Sequence, residues 1–497
     1  MRRAALLASG GAPLLPAGLA LLLALLLAAC AGRTPASGAP PQDAREVVES
    51  LSFPPLRFRP PVPERRRLAS GAPLLVIEDR TLPLVEVMVR FRGGASHFPR
   101  ERLGAVSALP ALLRSGGTRR LAPDTVDARI EEQAWRLSFG AGGNTSFGSV
   151  AALTPEIGGA VDLWAEVLRA PAFAAERVEL WRGRELEAVR RRRDDPNFEA
   201  VTRFNELLYG DHPVGWVLGA DDIAPERLQT AVLRETHAAI YCPENATFGV
   251  VGDIDADSAA AILDRAFAGW DRCPGALPEP PVPTVRSEPG VFVVHRPLAQ
   301  ATVYLGHGGG VTRADASSYF ASRIANAILG GSGLSSRIVR TLRTRLGLAY
   351  GAGTVWTTPR DHEGAFAAFT QTRADATTAS VRAILDELER LAARTPDAGE
   401  VQRAIDRIAN GFVFNFSSPA RIVARQMLYE AEGLEPDWLE RYVDGIQAVE
   451  PEDVQRVVRT RIHPSRMTLL VIGDTTAFDA PLGSLGLGDP RPFPEDR

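Results

Sequence analysis

Arg343 and Tyr350 stand either side of Gly347, and both are residue types suited to gripping a peptide. A guanidinium donates to backbone carbonyls or a carboxylate, and a phenol donates through its hydroxyl. The pair closes the run from Leu329 to Tyr350, Leu-Gly-Gly-Ser-Gly-Leu-Ser-Ser-Arg-Ile-Val-Arg-Thr-Leu-Arg-Thr-Arg-Leu-Gly-Leu-Ala-Tyr. Gly330, Gly331 and Gly333 predict a loop free to take positive φ, and Ser335 is placed to cap a helix beginning just after it. Ile338, Val339, Leu342 and Leu346 then fall at roughly helical spacing until Gly347 stops the helix. A solvated basic helix followed by a core Tyr has the same spacing, so residue types alone leave both readings open.

Other chemistries find less support. The seven histidines are His97, His212, His237, His295, His307, His362 and His463, and no two stand three to five residues apart. His97 and Glu101 are separated by Pro99, which argues against a shared helix. His307 lies among glycines at a predicted strand end, where substrate contact and plain packing are both open, and His212 is expected to cap a helix or bind backbone. There is no Gly-x-Ser-x-Gly elbow, Walker loop or Cys-x-x-Cys pair. A net charge of -4 with 45% hydrophobic residues describes a globular chain of two or more domains. All its basic residues are Arg, scattered among acids, which speaks against a nucleic-acid partner.

The Gly-Gly, Ser-Arg-Ile, Leu-Arg, Gly-Leu-Ala-Tyr order resembles the C-terminal-domain signature of the insulinase/pitrilysin (inverzincin) metallopeptidases, and the resemblance extends over roughly residues 66 to 480. It implies that Arg343 and Tyr350 hold substrate beside a zinc site carried by another domain. An inverzincin carries His-x-x-Glu-His on one helix, two His for zinc and a Glu for proton transfer. In the matching helix, Gly104-Ala-Val-Ser-Ala-Leu-Pro-Ala111, the His positions hold Ser107 and Ala111 and the base position holds Pro110. Counting back from Pro196 in the later family pattern puts Ala188 where a Glu would be the third ligand, with Glu187 one residue away. The resemblance therefore implies no zinc or other cofactor in this chain and no catalytic residue of its own.

Leu74 to Ile77 and Leu84 to Phe91 predict a hairpin of two strands. Helical patterns run around Gly104 to Leu113, Pro123 to Leu137, Pro155 to Arg169, Ala174 to Arg193, Phe198 to Leu208 and Pro225 to Tyr241, with a strand candidate at Trp135 to Phe139. Thr247 to Val251 reads as a buried strand and Asp255 to Trp270 as a helix. Residues 274–290 carry six prolines and two glycines and read as a linker. Beyond it the pattern restarts with strands at Val291, Thr302, Thr354 and Ala365 and helices from Ser317, Asp375, Asp397 and Ser418. Pro243-Glu-Asn-Ala-Thr-Phe-Gly-Val-Val-Gly-Asp253 and Pro464-Ser-Arg-Met-Thr-Leu-Leu-Val-Ile-Gly-Asp474 share Pro, Thr, an apolar strand and Gly-Asp in one order. The expected fold is α+β: two homologous domains, each a mainly antiparallel sheet with helices packed on one face, facing each other across a cleft. Their expected bounds are 66–273 and 291–486, with a tail at 487–497.

At the N-terminus Arg2 and Arg3 precede a Leu/Ala-rich run ending Leu27-Ala-Ala-Cys30. This predicts a signal peptide over 1–29, and its ending resembles a bacterial lipobox, implying lipid on Cys30 and a flexible tether over 30–65. Ala31 after the Cys implies the outer membrane or a periplasm-facing envelope site. Cys242 and Cys273 either pair or remain two inert thiols. Besides an active peptidase with an unrecognised metal site, the resemblance leaves two functions. One is a subunit lacking the zinc motif, which pairs with a zinc-bearing homologous chain and offers Arg343 and Tyr350 to its peptide substrate. The other is a lipid-tethered scaffold or peptide-binding protein of the envelope, without hydrolysis.

Overall fold

The computed structural model describes residues 61–285, 289–360, 362–435 and 437–494. The expected signal peptide, Cys30 and most of the tether lie outside them. Two six-stranded sheets organise the chain. The first comprises β1 (Glu64–Arg67), β2 (Pro73–Glu78), β3 (Leu84–Arg92), β4 (Arg136–Ala141), β5 (Thr145–Leu153) and β6 (Ala246–Gly252), in the order β1-β2-β6-β3-β5-β4. The second comprises β7 (Gly290–His295), β8 (Gln300–Gly308), β9 (Ala349–Trp356), β10 (Ala365–Arg373), β11 (Thr468–Gly473) and β12 (Pro490–Pro492), in the order β12-β7-β11-β8-β10-β9. The repeated Pro-to-Asp segments supply β6 and β11, which occupy the same place in their sheets. The chain is thus an α+β protein of two homologous domains.

The structure differs from expectation in four places. β2 and β3 form no hairpin, because β6 lies between them, parallel to β2 and antiparallel to β3. The unbroken apolar run Leu74 to Ile77 is that of a strand covered on both faces. β5 has no clear sequence signal because Gly148 and two serines interrupt its alternation. The expected tail supplies an edge strand instead: Pro490 to Pro492 runs parallel to β7, and Phe493 is buried with its N–H on the Val293 carbonyl. At the other end, β1 already begins at Glu64, inside the expected tether.

The helices are α1 (Leu103–Ser115), α2 (Pro123–Glu132), α3 (Ile157–Arg169), α4 (Ala175–Arg191), α5 (Pro196–Tyr209), α6 (Thr230–Ile240) and α7 (Ala256–Ala266) in the first half. In the second are α8 (Ala316–Asn326), α9 (Arg337–Val339), α10 (Thr377–Ala393), α11 (Ala398–Phe412), α12 (Pro419–Ala431), α13 (Trp438–Gln447) and α14 (Pro451–Arg461). Most cover one face of their own sheet, where Phe91, Leu109, Trp164 and Phe248 anchor one core and Leu305, Ile324, Phe366 and Ile384 the other.

Two helices cross over. α5 lays Ala200, Phe204 and Leu208 on Val294, Leu470 and Ile472 of the second sheet. α12 returns the arrangement, placing Ile422, Val423 and Met427 on Leu75, Ile77 and Val251 of the first. The linker is also tied down along the first half. Leu277 is buried, His97 and His212 hydrogen-bond the Pro278 and Pro281 carbonyls, and Arg92 pairs with Glu279. His212 accepts from the Val214 N–H through its other nitrogen, so it both caps a turn and holds backbone.

Candidate functional site

The Arg343 segment is built from two backbone irregularities. The run expected to be one α-helix makes a single α-turn at Arg337–Val339 and then widens into a π-turn over Arg340–Arg345, with the Leu346 N–H reaching back to the Thr341 carbonyl. Such widened turns recur at functional sites. Ser335 is not the cap; Ser336 holds that place, and its hydroxyl donates to the Gly333 carbonyl. A second π-turn, Ala327–Gly331, passes so close to β9 that a Cβ on Gly330 would lie 2.5 Å from the Thr354 nitrogen. Gly347 takes φ +63, a left-handed turn that glycine adopts without strain, and returns the chain to β9.

Tyr350 sits in a bulge. β9 pairs Gly351 with Gln371 and Ala349 with Thr372, leaving Tyr350 as the extra residue. A bulge re-aims one side chain relative to the pleat. Here Ala349 stays buried while Tyr350 is 80% exposed, so the core-Tyr reading is excluded. The Arg343 guanidinium lies over the phenol ring, 4.5 Å from its centroid. That is cation–π distance, worth about 0.5–1 kcal/mol at an exposed site. Among the described residues no carboxylate pairs with Arg343, so its donors remain available.

Buried neighbours hold the segment that carries Arg343. Ile338 and Leu342 are fully buried. Arg337 forks onto Glu400 of α11 through bonds of 2.9 and 2.5 Å. The Thr341 hydroxyl donates to the buried carboxylate of Glu387 on α10 at 2.6 Å, and Arg390 pairs with the same oxygen at 2.6 Å. Charge-assisted bonds of this kind are among the stronger protein contacts. Sequence reasoning misses both acids; the available signal is a Glu on the apolar stripe of the Thr377–Ala393 pattern.

The degenerate positions lie in the first half, on two helices that pack against each other. Ser107, Pro110 and Ala111 are half-buried on α1, whose Leu109, Leu112 and Leu113 anchor it in the core and which also packs along β4. Pro110 lies inside the helix and has no N–H to donate. Ala188 is half-buried on α4, whereas Glu187 is exposed and pairs with Arg191 at 3.3 Å. One hydroxyl, two methyl groups and a pyrrolidine do not make a zinc site, which takes thiolate, imidazole or carboxylate donors. Among the described residues, one trio of such groups has its ligand atoms within 4.8 Å: Cys242, Glu244 and Cys273. Its two sulfurs form a disulfide, which settles the open cysteine question and removes them as ligands.

His307 is packed in the interior. It is buried, its Nε2 accepts from the His463 N–H at 2.9 Å, and its Nδ1 donates to the Gly308 carbonyl. Burial, with His463 and Arg466 nearby, pulls its pKa down to about 4. The structure thus brings Arg343 and Tyr350 together, and separately brings together the helices carrying Ser107, Pro110, Ala111 and Ala188.

Residues 227–408 match a family model described as the peptidase M16 inactive domain. The chain is 27% identical over 380 residues to an uncharacterized zinc protease of Streptomyces coelicolor, covering 74% of this chain and 80% of that one. A shorter stretch, 197 residues, is 32% identical to an uncharacterized zinc protease of Mycobacterium bovis, spanning 38% of this chain and 43% of the relative. The crystal structure of a peptidase M16 inactive domain from Pseudomonas fluorescens superposes with a TM-score of 0.74 at 24% identity, covering 84% of this chain and 98% of that chain. That likeness concerns the fold.

Proposed function

Because the chain belongs to the insulinase/pitrilysin (M16) peptidase family, we propose that it is the non-catalytic subunit of a heteromeric zinc peptidase, closing the chamber against a zinc-bearing homologous chain and holding peptide through Arg343 and Tyr350. The observation that carries this reading is the Arg343–Tyr350 pair itself. A π-turn and a bulge converge on one exposed guanidinium without a carboxylate partner among the described residues, seated 4.5 Å above a phenol ring. Contacts to buried Glu387 and half-buried Glu400 hold the carrier segment, so little ordering remains to be done when a peptide arrives. Arg343 donates to peptide carbonyls or a carboxylate, and Tyr350 donates through its hydroxyl. Hydrolysis belongs to the partner, since Ser107, Pro110, Ala111 and Ala188 supply neither a zinc ligand set nor a base.

We place the subunit in the envelope, lipid-tethered at Cys30. The Cys242–Cys273 disulfide supports that address, because disulfides persist in exported proteins.

Metal analysis and digestion of a peptide library by the purified chain test the first part, and purification of a tagged chain from envelope membranes tests the second. The expected results are no stoichiometric zinc, no cleavage alone, and co-purification of a homologue carrying His-x-x-Glu-His. One zinc per chain with chelator-sensitive cleavage would overturn the reading. Failure to recover such a homologue would favour an envelope scaffold that binds peptides without cutting them.

A further inference from the structure

On the face of the first sheet opposite its main core, three strands line up an acid, a small residue and a base. Glu86 on β3 is in register with Ala151 on β5, and Ala151 with Arg136 on β4. Because strands lie about 4.8 Å apart, the outer two side chains stand roughly 10 Å apart over a methyl group. In the next row the Ser138 and Ser149 hydroxyls hydrogen-bond at 2.9 Å. A groove of about 560 Å³ opens here, lined among others by Leu84, Glu86, Trp135, Arg136, Ser138 and Ala151.

The charges in this groove are not equivalent. Arg114, also on its wall, is already paired with Asp127 at 2.6 Å. Arg136 is exposed on an edge strand. Glu86 is half-buried, and among the described residues nothing hydrogen-bonds or pairs with its carboxylate. Burial raises its pKa above the ordinary value, and Arg136 offsets only part of that. Glu86 is therefore the half-buried charge of this groove that lacks a hydrogen-bonding partner among the described residues. Leu84 and the Trp135 ring give apolar surface of the kind that covers the aliphatic stem of a long basic side chain.

We propose that this groove takes a Lys or Arg side chain of a bound peptide, with the cation against Glu86. The inference rests on the peptide-binding reading above and adds a preference for basic sequence. α1 packs along β4, so the groove borders the helix that carries the degenerate zinc positions.

Titration calorimetry at low salt on the full chain can test it. The ligands are two acetylated, amidated octapeptides identical but for one central Arg or Gln. The Arg peptide is expected to bind at least about tenfold tighter, since hydrogen bonds to charged groups are worth ~1.5–3 kcal/mol, and the advantage should shrink as salt is added. Glu86→Gln should collapse that ratio while leaving affinity for the Gln peptide unchanged. Ala151→Val, which fills the gap without touching a charge, should lower it too. Arg343→Ala should weaken both peptides equally and preserve the ratio. Equal affinities in the wild type, binding of neither peptide, or a ratio that survives both groove substitutions would overturn the proposal. A ratio that depends on Glu86 while Arg343→Ala changes nothing would keep the groove and remove the Arg343 role.

Discussion

Met427 of the second half fills the space that a side chain on Gly249 of the first half would need: its Sδ lies 2.5 Å from where a Cβ would sit, and Val423 Cγ1 lies closer still. Gly249 is in β6, in the middle of the first sheet, and Met427 is on α12. The two halves are therefore locked by exchanged helices, and the linker is one of several connections between them.

The first prediction concerns that lock. Gly249→Val inserts three carbons into a packed interface, and overpacking of this kind destabilises by about 1–3 kcal/mol. Urea unfolding of the full chain should show a lower midpoint, and Met427→Ala in the same background should restore part of the loss. If Gly249→Val unfolds at the wild-type midpoint, the exchange does not couple the halves.

A second prediction comes from His237 and His307. His237 is buried, its Nε2–H donates to the Leu168 carbonyl, and its ring stacks on Tyr241. Burial, with a smaller push from Arg119, lowers its pKa to about 4, the same value as for His307. An unfolded histidine titrates near 6.5, so between pH 6.5 and 4 the unfolded chain binds protons that the native chain refuses. Their stabilisation is complete above about pH 6.5 and falls as pH drops towards 4. At pH 5 each site removes at most about 2 kcal/mol. The unfolding free energy should fall between pH 7 and pH 5, and His237→Gln with His307→Asn should flatten that fall. An unchanged pH slope in the double variant would contradict the assignment.

The third prediction concerns the Cys242–Cys273 bond, which spans 31 residues and ties the approach to the linker onto the start of β6. Closing a loop of that length stabilises by roughly 3–4 kcal/mol in the chain-entropy model. Replacing both cysteines by Ala should lower the unfolding free energy by about that amount, and a reductant should then have no further effect. Equal stability of the two proteins would show that the loop is already ordered without the bond.

Much of the architecture is local and legible in residue order. Period-two and helical patterns, the proline-rich linker and the Pro-to-Asp repeat all report on neighbours in sequence. What escapes such reading is long-range. Nothing in Leu74 to Ile77 says that β6, from about 170 residues later, inserts beside it, and nothing in α5 or α12 says that each covers the other half's sheet. At the candidate site the two side chains can be named from the Leu-Arg and Gly-Leu-Ala-Tyr parts of the pattern. Their presentation cannot, because a π-turn and a bulge depend on where Glu387, Glu400 and β10 lie. Ser107, Pro110 and Ala111 are the plainest reading, since side-chain chemistry alone excludes a ligand set there.

The most direct test is kinetic. With the chain reconstituted with its zinc-bearing homologue, kcat/KM for a peptide substrate is measured for the wild type, Arg343→Ala and Tyr350→Phe. Removing a charge-assisted donor from a substrate-bound site is worth roughly 1.5–3 kcal/mol, so Arg343→Ala should lower kcat/KM about ten- to a hundredfold, and Tyr350→Phe, which loses one hydroxyl, should lower it less. Both variants should fold and assemble as the wild type does, since both side chains are exposed. Equal kcat/KM for the wild type and a variant lacking both groups would contradict the account.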